Sequence, residues 1–151
     1  MPYQLLGPQR GQGVLKVQMP YTHKLVRGLK RHEMRSRSLE NYFKVASGDW
    51  VWFCTRKGEV SGCTGCAVLG GARYVREVGP LVPGKESDEK IWAGLAHCVP
   101  MSLSEFAKRM PKGYLKGVWA WEFDGAMELD TPVDMADNSN MTMAHFVPRG
   151  E

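Results

Sequence analysis

The sequence contains no apolar run approaching the roughly 18 residues that a membrane-spanning helix needs, so no membrane partner is expected. Its start, Met1-Pro2-Tyr3-Gln4-Leu5-Leu6-Gly7-Pro8, lacks the basic stretch and apolar core of a secretory signal. The expected location is therefore the cytoplasm, or the nucleus if the source has one. Cysteine is scarce: Cys54, Cys63, Cys66 and Cys98 are the only four, and without an export signal they are expected as free thiols. Histidine is equally sparse. His23, His32, His97 and His145 have no ligand spacing, so none is read as catalytic, and His32 is expected at the surface. The Cys63-Thr64-Gly65-Cys66 spacing looks like a zinc or redox pair. It lies in a glycine-rich, strand-like run rather than a knuckle turn, and no helix starts at Cys66, so core thiols, no metal and no cofactor are expected. Internal repeats are absent, and Gly62–Gly71 lacks the lysine of a phosphate loop.

What is present fits a single domain. A chain of 151 residues can bury a core without metals or disulfides, and 43% apolar with 24% charged residues is a globular composition. The net charge of +4 is unevenly spread. Residues 125–151 carry Glu128, Asp130, Asp134, Asp137 and Glu151 against Arg149, a net of −4, which leaves +8 for residues 1–124. Within 16–37, Lys16, Lys24, Arg27, Lys30, Arg31, Arg35 and Arg37 face only Glu33. Such a cluster suits a polyanion, with a solvated basic face as the alternative.

Hydrophobic periodicity predicts a short strand over 14–18, then a helix opened by Pro20 with Tyr21, Leu25 and Val26 as its apolar stripe and Gly28 as its C-cap. Lys30 to Arg35 reads as extended. Two strand-like runs, 49–54 and 60–69, flank the Arg56-Lys57-Gly58-Glu59 turn, and their glycines suit a strongly curved sheet. A helix is predicted over 86–97 with Ile91, Trp92, Leu95 and Ala96 buried. Ser102-Leu103-Ser104-Glu105 is a capping box with Met101 and Phe106 as its staple, and Pro111 and Gly113 end that second helix. A strand follows over 117–123, with Trp119, Trp121 and Phe123 on one face. Beyond Gly125 the pattern dissolves, and Val147-Pro148-Arg149-Gly150 resembles the remnant of a cleavage site. The expected organisation is an extension over 1–13, one domain over 14–124 and an acidic, partly disordered tail over 125–151. The fold class is α+β, a small β-barrel with flanking helices.

Glu33 and Arg35 stand two apart and share a face of an extended segment, while the Gly28 turn can swing Lys30 inward. Arg and Lys bind phosphate, an ionised Glu accepts hydrogen bonds from a base edge, and Tyr21 can stack on a base. The alternative is that Glu33 and Arg35 form an ion pair that only braces the strand.

These residues also carry a family resemblance. Gln18-Met19-Pro20-Tyr21 followed by Gly28-Leu29-Lys30-Arg31-His32-Glu33-Met34-Arg35 resembles the Gln-Pro-aromatic element and Gly-x-Lys-x-x-Glu-x-Arg hallmark of the ASCH family (activating-signal-cointegrator homology). Ser47-Gly48-Asp49-Trp50-Val51, Gly62-Cys63-Thr64-Gly65-Cys66-Ala67-Val68 and Trp119-Ala120-Trp121-Glu122-Phe123 extend the likeness over about 14–124. The resemblance implies a PUA-like barrel and binding of RNA, another single-stranded nucleic acid, or a nucleoside or nucleotide. The implied ligand contacts are Gln18, Tyr21, Lys24, Arg27, Lys30, Arg31, Glu33, Arg35 and Arg37. Some members of the family are amidohydrolases acting on N4-acylated cytidine, and ribonuclease activity has also been described. The small amidohydrolases use a Lys, a Thr three residues later and a Glu before the late helix. Lys30 matches the first, but Glu33 replaces the Thr and Val99 falls near the second acid, so that mechanism does not carry over intact. Lys30 with Glu33 activating water or Ser36 remains the enzymatic reading beside the binding one.

Overall fold

A computed structural model describes residues 7–95, 100–136 and 142–149. In chain order the described elements are β1 (Gly13–Lys16), α1 (Tyr21–Val26), β2 (His32–Arg35), α2 (Leu39–Phe43), β3 (Trp50–Cys54), β4 (Cys66–Leu81), α3 (Glu86–Leu95), α4 (Leu103–Arg109), a 3-10 turn (Lys112–Lys116), β5 (Val118–Met135) and β6 (Met143–His145). The strands pair in the order β2-β5-β4-β3-β1-β6, which gives the expected α+β class. Two compact units divide the chain: Met1–Lys30, Gly48–Tyr74 and Asp124–Glu151 form the first, and Arg31–Ser47 with Val75–Phe123 the second. Among the described residues, no helix is long and apolar enough to cross a membrane.

In the first unit the strands close on themselves. β1 runs parallel to β3, with Val14 opposite Trp52, and antiparallel to β6, with Val14 opposite Ala144. β3 pairs antiparallel with β4 through an irregularity between Phe53 and Cys54. Met135 at the end of β5 then bridges to Pro148, and Ala136 N donates to Val147 O at 3.0 Å. Among the described residues the ladder thus returns to the end of β5 through the residues that follow β6. Val14, Trp52, Cys54, Cys66, Val68, Met135 and Phe146 form its buried core. At Gly70 a Cβ would collide with the Met127 carbonyl, the close approach that the glycine-rich run foreshadows. Leu25 and Val26 of α1 are almost fully buried, each a gain of about 1.5–3 kcal/mol. The helix stops where Gly28 takes φ +72° and the amides of Leu29 and Lys30 both donate to Lys24 O.

Several expectations need correction here. Tyr21 is exposed, and Thr22 takes its place in the buried stripe, its hydroxyl donating to Val17 O. Residues 60–65 are turn, bend or irregular, so β4 begins at Cys66 and runs on to Leu81. Arg73, Arg76, Gly79 and Pro80 interrupt its apolar pattern, which hides the strand from a periodicity argument. The tail expected from 125 supplies most of β5 and all of β6. Glu128, Asp130 and Thr131 are exposed while Leu129 and Val133 pack against the core, an outward polar face that masks the period. Val147 to Arg149, read as a remnant, carries the pairing that closes the ring. Gly11 and Gln12, placed in an extension, exchange backbone bonds with Phe146, and Gln12 accepts from Trp52 Nε1 at 2.9 Å. Residues 1–6, Asp137, Asn140, Met141, Gly150 and Glu151 lie outside the described residues.

The second unit is built on the first half of β5, with β2 antiparallel to it. Met34, Leu81, Trp92, Leu103, Ala107, Tyr114, Val118 and Ala120 form its core. On α3, Trp92 is buried and donates from Nε1 to Met101 O at 2.7 Å, whereas Ile91, expected inside, is 44% exposed. Ala96 and His97 lie outside the described residues. The Ser102 half of the expected capping box is present, with Ser102 Oγ accepting from Glu105 N at 3.1 Å, while Glu105 reaches Arg109 and Phe106 lies near Trp92 at 5.0 Å between centroids. No periodicity in the sequence announces α2. Its Ser38 caps Asn41 N, and the Ser38 hydroxyl and Leu39 amide both donate to the Glu77 carboxylate.

Candidate functional site

On β2, Glu33 and Arg35 project from one face and stand opposite Trp121 and Trp119 of β5. Arg35 donates from Nε and from Nη2 to the same Glu33 oxygen, Oε2, at 2.7 and 2.6 Å. The side chains keep only 10% exposure for Glu33 and 20% for Arg35, so water screens this pair weakly. The Arg35 guanidinium lies 5.9 Å from the Trp121 ring centroid. Trp121 is itself fully buried, braced edge-on by Phe43 at 6.2 Å, and its Nε1 donates to Arg37 O at 3.0 Å. Tyr114 is within electrostatic reach of the pair. Burial raises its hydroxyl pKa, the Arg35 charge pulls it down and the Glu33 charge pushes it up.

His32 points to the other face of β2. It is buried, not at the surface as expected, and its Nε2 lies 3.9 Å from Glu122 Oε1, which also accepts from Arg76 Nε at 3.0 Å. Arg31 is exposed, and its carbonyl accepts from Phe123 N at 2.8 Å. Arg37 is exposed too, with its guanidinium 4.3 Å over the Tyr42 ring.

The remaining expected contacts belong to the first unit. Gln18 is exposed and its carbonyl accepts from Tyr21 N and Thr22 N. Lys24 Nζ lies 5.7 Å from the Tyr21 ring centroid. Arg27 makes a two-pronged contact with Glu128, Nε to Oε1 at 3.0 Å and Nη2 to Oε2 at 3.2 Å, which raises the arginine pKa and lowers that of the carboxylate. Lys30 is buried, with 7% exposure. The structure thus brings together Glu33 with Arg35 and Tyr21 with Lys24, and engages Arg27 with an acidic partner. Val99 lies outside the described residues.

Sequence reasoning missed Trp121 as the floor beneath Arg35, Tyr114 as a neighbour of the pair, and Tyr42 altogether. The alternation of 117–123 signalled a face for Trp121, but only the β2–β5 register ties it to Arg35. No His, Cys, Asp or Glu cluster suited to a metal occurs among the described residues. Cys54, Cys63 and Cys66 are free thiols, and burial together with the Asp134 charge raises the pKa of Cys63, the opposite of what a reactive thiol needs. Cys98 lies outside the described residues.

No protein-family model matches this chain, and no curated protein matches it in sequence. Solved structures do match. The ASCH protein of Zymomonas mobilis superposes with a TM-score of 0.62 over 92% of this chain and 90% of its own, at 15% identity. Its serine-to-alanine mutant gives 0.63 over 93% and 92% at 14% identity, and its tyrosine-to-phenylalanine mutant 0.63 over 91% of each chain at 14% identity. The chain therefore has the fold of an ASCH protein. The likeness is one of fold and spans 93% of the chain.

Proposed function

We propose that this chain binds nucleic acid, RNA foremost, or a nucleotide, through the Gly28–Arg35 segment. The observation that carries the reading is the Glu33–Arg35 pair, nearly buried and resting on Trp121. The Glu33 carboxylate, positioned by Arg35, is an acceptor suited to the amino and imino groups of a base edge. A guanidinium matches the geometry of a phosphate, and that of Arg35 lies over the Trp121 ring. Titrating the chain with nucleoside monophosphates and short RNAs tests the proposal. Glu33→Gln and Arg35→Met are each expected to weaken mononucleotide binding by about tenfold or more, since each strands one member of a poorly solvated pair. Unchanged affinity in variants shown to be folded by circular dichroism would sink the idea.

A second reading draws on the burial of Lys30: hydrolysis of RNA or of a modified nucleoside such as N4-acetylcytidine, with Lys30 and Glu33 as the catalytic groups. Release of cytidine from N4-acetylcytidine, abolished by Lys30→Ala, would favour this reading over binding alone. Tight binding with no product formed decides against it.

A further inference from the structure

We propose that the second unit carries a track for an unpaired nucleic-acid strand beside the Glu33–Arg35 pair, with Tyr42 as its stacking platform and Arg37, Lys112 and Lys116 as its phosphate contacts. The inference rests on the nucleic-acid reading above and specifies the ligand as single-stranded.

Tyr42 and Leu115 are 57% and 52% exposed, on the α2 segment and on the 3-10 turn that packs against Ser36. Tyr42 is nevertheless held firmly. Arg37 lies over its ring at 4.3 Å, and Phe43 meets it edge-on at 4.9 Å. The short helix α2 that presents it is anchored at its start by Glu77, and through Phe43 to the Trp121 ring. A ring fixed in this way can accept a base with little further loss of conformational freedom.

The 3-10 turn adds charge at the same place. A Cβ on Gly113 would lie 3.8 Å from Ser36 Oγ, so the turn passes directly against the residue that leads into Arg37 and α2. Tyr114, in the middle of the turn, points into the core, while Lys112 and Lys116 at its two ends are exposed. Residues 108–116 contain Lys108, Arg109, Lys112 and Lys116 with no acidic residue. Arg109 reaches Glu105 at 3.9 Å, and of the two acids that flank Arg37 in sequence Glu40 is exposed while Glu33 is held by Arg35. An aromatic platform flanked by cations is what a strand with bare bases requires; a duplex hides its base faces.

Fluorescence anisotropy with uridine monophosphate, a short oligouridylate, the matching oligothymidylate and duplex RNA tests the proposal. The oligonucleotides are expected to bind more tightly than both the mononucleotide and the duplex. Tyr42→Ala is expected to weaken oligonucleotide binding by about tenfold, within the range for loss of one stacked base, while Tyr42→Phe retains it. Lys112→Gln and Lys116→Gln should each lower the salt slope by about 0.7, the value for one lost phosphate contact on a single strand. All of these variants should leave mononucleotide affinity unchanged, because that affinity reads the Glu33–Arg35 pair. Mononucleotide binding with no gain from strand length, or a Tyr42→Ala variant equal to wild type, overturns the track and leaves the pair. Length-dependent binding that Glu33→Gln and Arg35→Met do not alter overturns the pair and leaves the track. Absence of binding to every probe overturns both.

Discussion

Asp134 accepts hydrogen bonds from Thr64 N at 3.0 Å, Gly65 N at 2.9 Å and the Thr64 hydroxyl at 3.3 Å. Burial alone would raise its pKa, but these donors and the Arg149 charge outweigh it and hold the carboxyl below its ordinary value. A folded pKa below the unfolded one means that the stabilisation is complete above the unfolded carboxylate pKa of about 3.9. It is lost as pH falls through the folded value. Asp134→Asn is therefore expected to lower the melting temperature at neutral pH, through a loss of about 1 kcal/mol limited by solvent screening. In strong acid the variant and wild type should melt alike; a difference that persists unchanged there would contradict the assignment. Nothing in the residues around Thr64 announces this clasp, because its two halves are joined only by the fold. The same reason separates what was legible at the candidate site from what was not. The alternation of Glu33 and Arg35 is local and readable, whereas Trp121 and Tyr114 meet the pair through strand register and a tertiary turn.

Among the elements, α4 is the one whose start is written most plainly, since a cap depends on four consecutive residues. Ser102 Oγ satisfies Glu105 N, and Glu89 from α3 accepts from Ser104 N at 3.1 Å. The Ser104 hydroxyl, foremost, with the Gly84 and Ser104 amides, lowers the Glu89 pKa, so α3 and α4 share an anionic clamp. Ser102→Ala is expected to cost about 1 kcal/mol, with Ser102→Asp recovering most of it, as read from urea unfolding. Equal stability of the alanine variant and wild type would show the cap to be idle. Longer elements were less legible for a physical reason. A strand with one face in water and charged residues along it, such as β4 beyond Ala72 or β5 beyond Phe123, loses the apolar alternation that announces strands. The five-residue α2 is too short to show a helical period and owes its start to Glu77, a residue distant in sequence.

At the scale of the whole molecule, the acidic C-terminal stretch is the decisive structural segment. Its composition reads as a solvated tail, yet Met135 and Phe146 are buried in the core of the first unit beside Val14, Trp52 and Val68. β6 covers the open side of β1, and the Met135–Pro148 bridge completes the ring. Removing these residues would uncover both the apolar interior and the unpaired backbone groups of β1 and β4, a combination that favours aggregation over a smaller stable fold. A chain ended at residue 124 is therefore expected to lack a cooperative melting transition and to bind a hydrophobic dye. A chain ended at 136 keeps β5 but loses β6, the buried Phe146 and the bridge, so it should retain strand content while melting earlier than the full chain. Far-ultraviolet circular dichroism and thermal melts on the three chains check both outcomes. If the chain ended at 124 melted as sharply and at the same temperature as the full chain, residues 125–149 would be an appendage after all, and the closed ring would contribute nothing to stability.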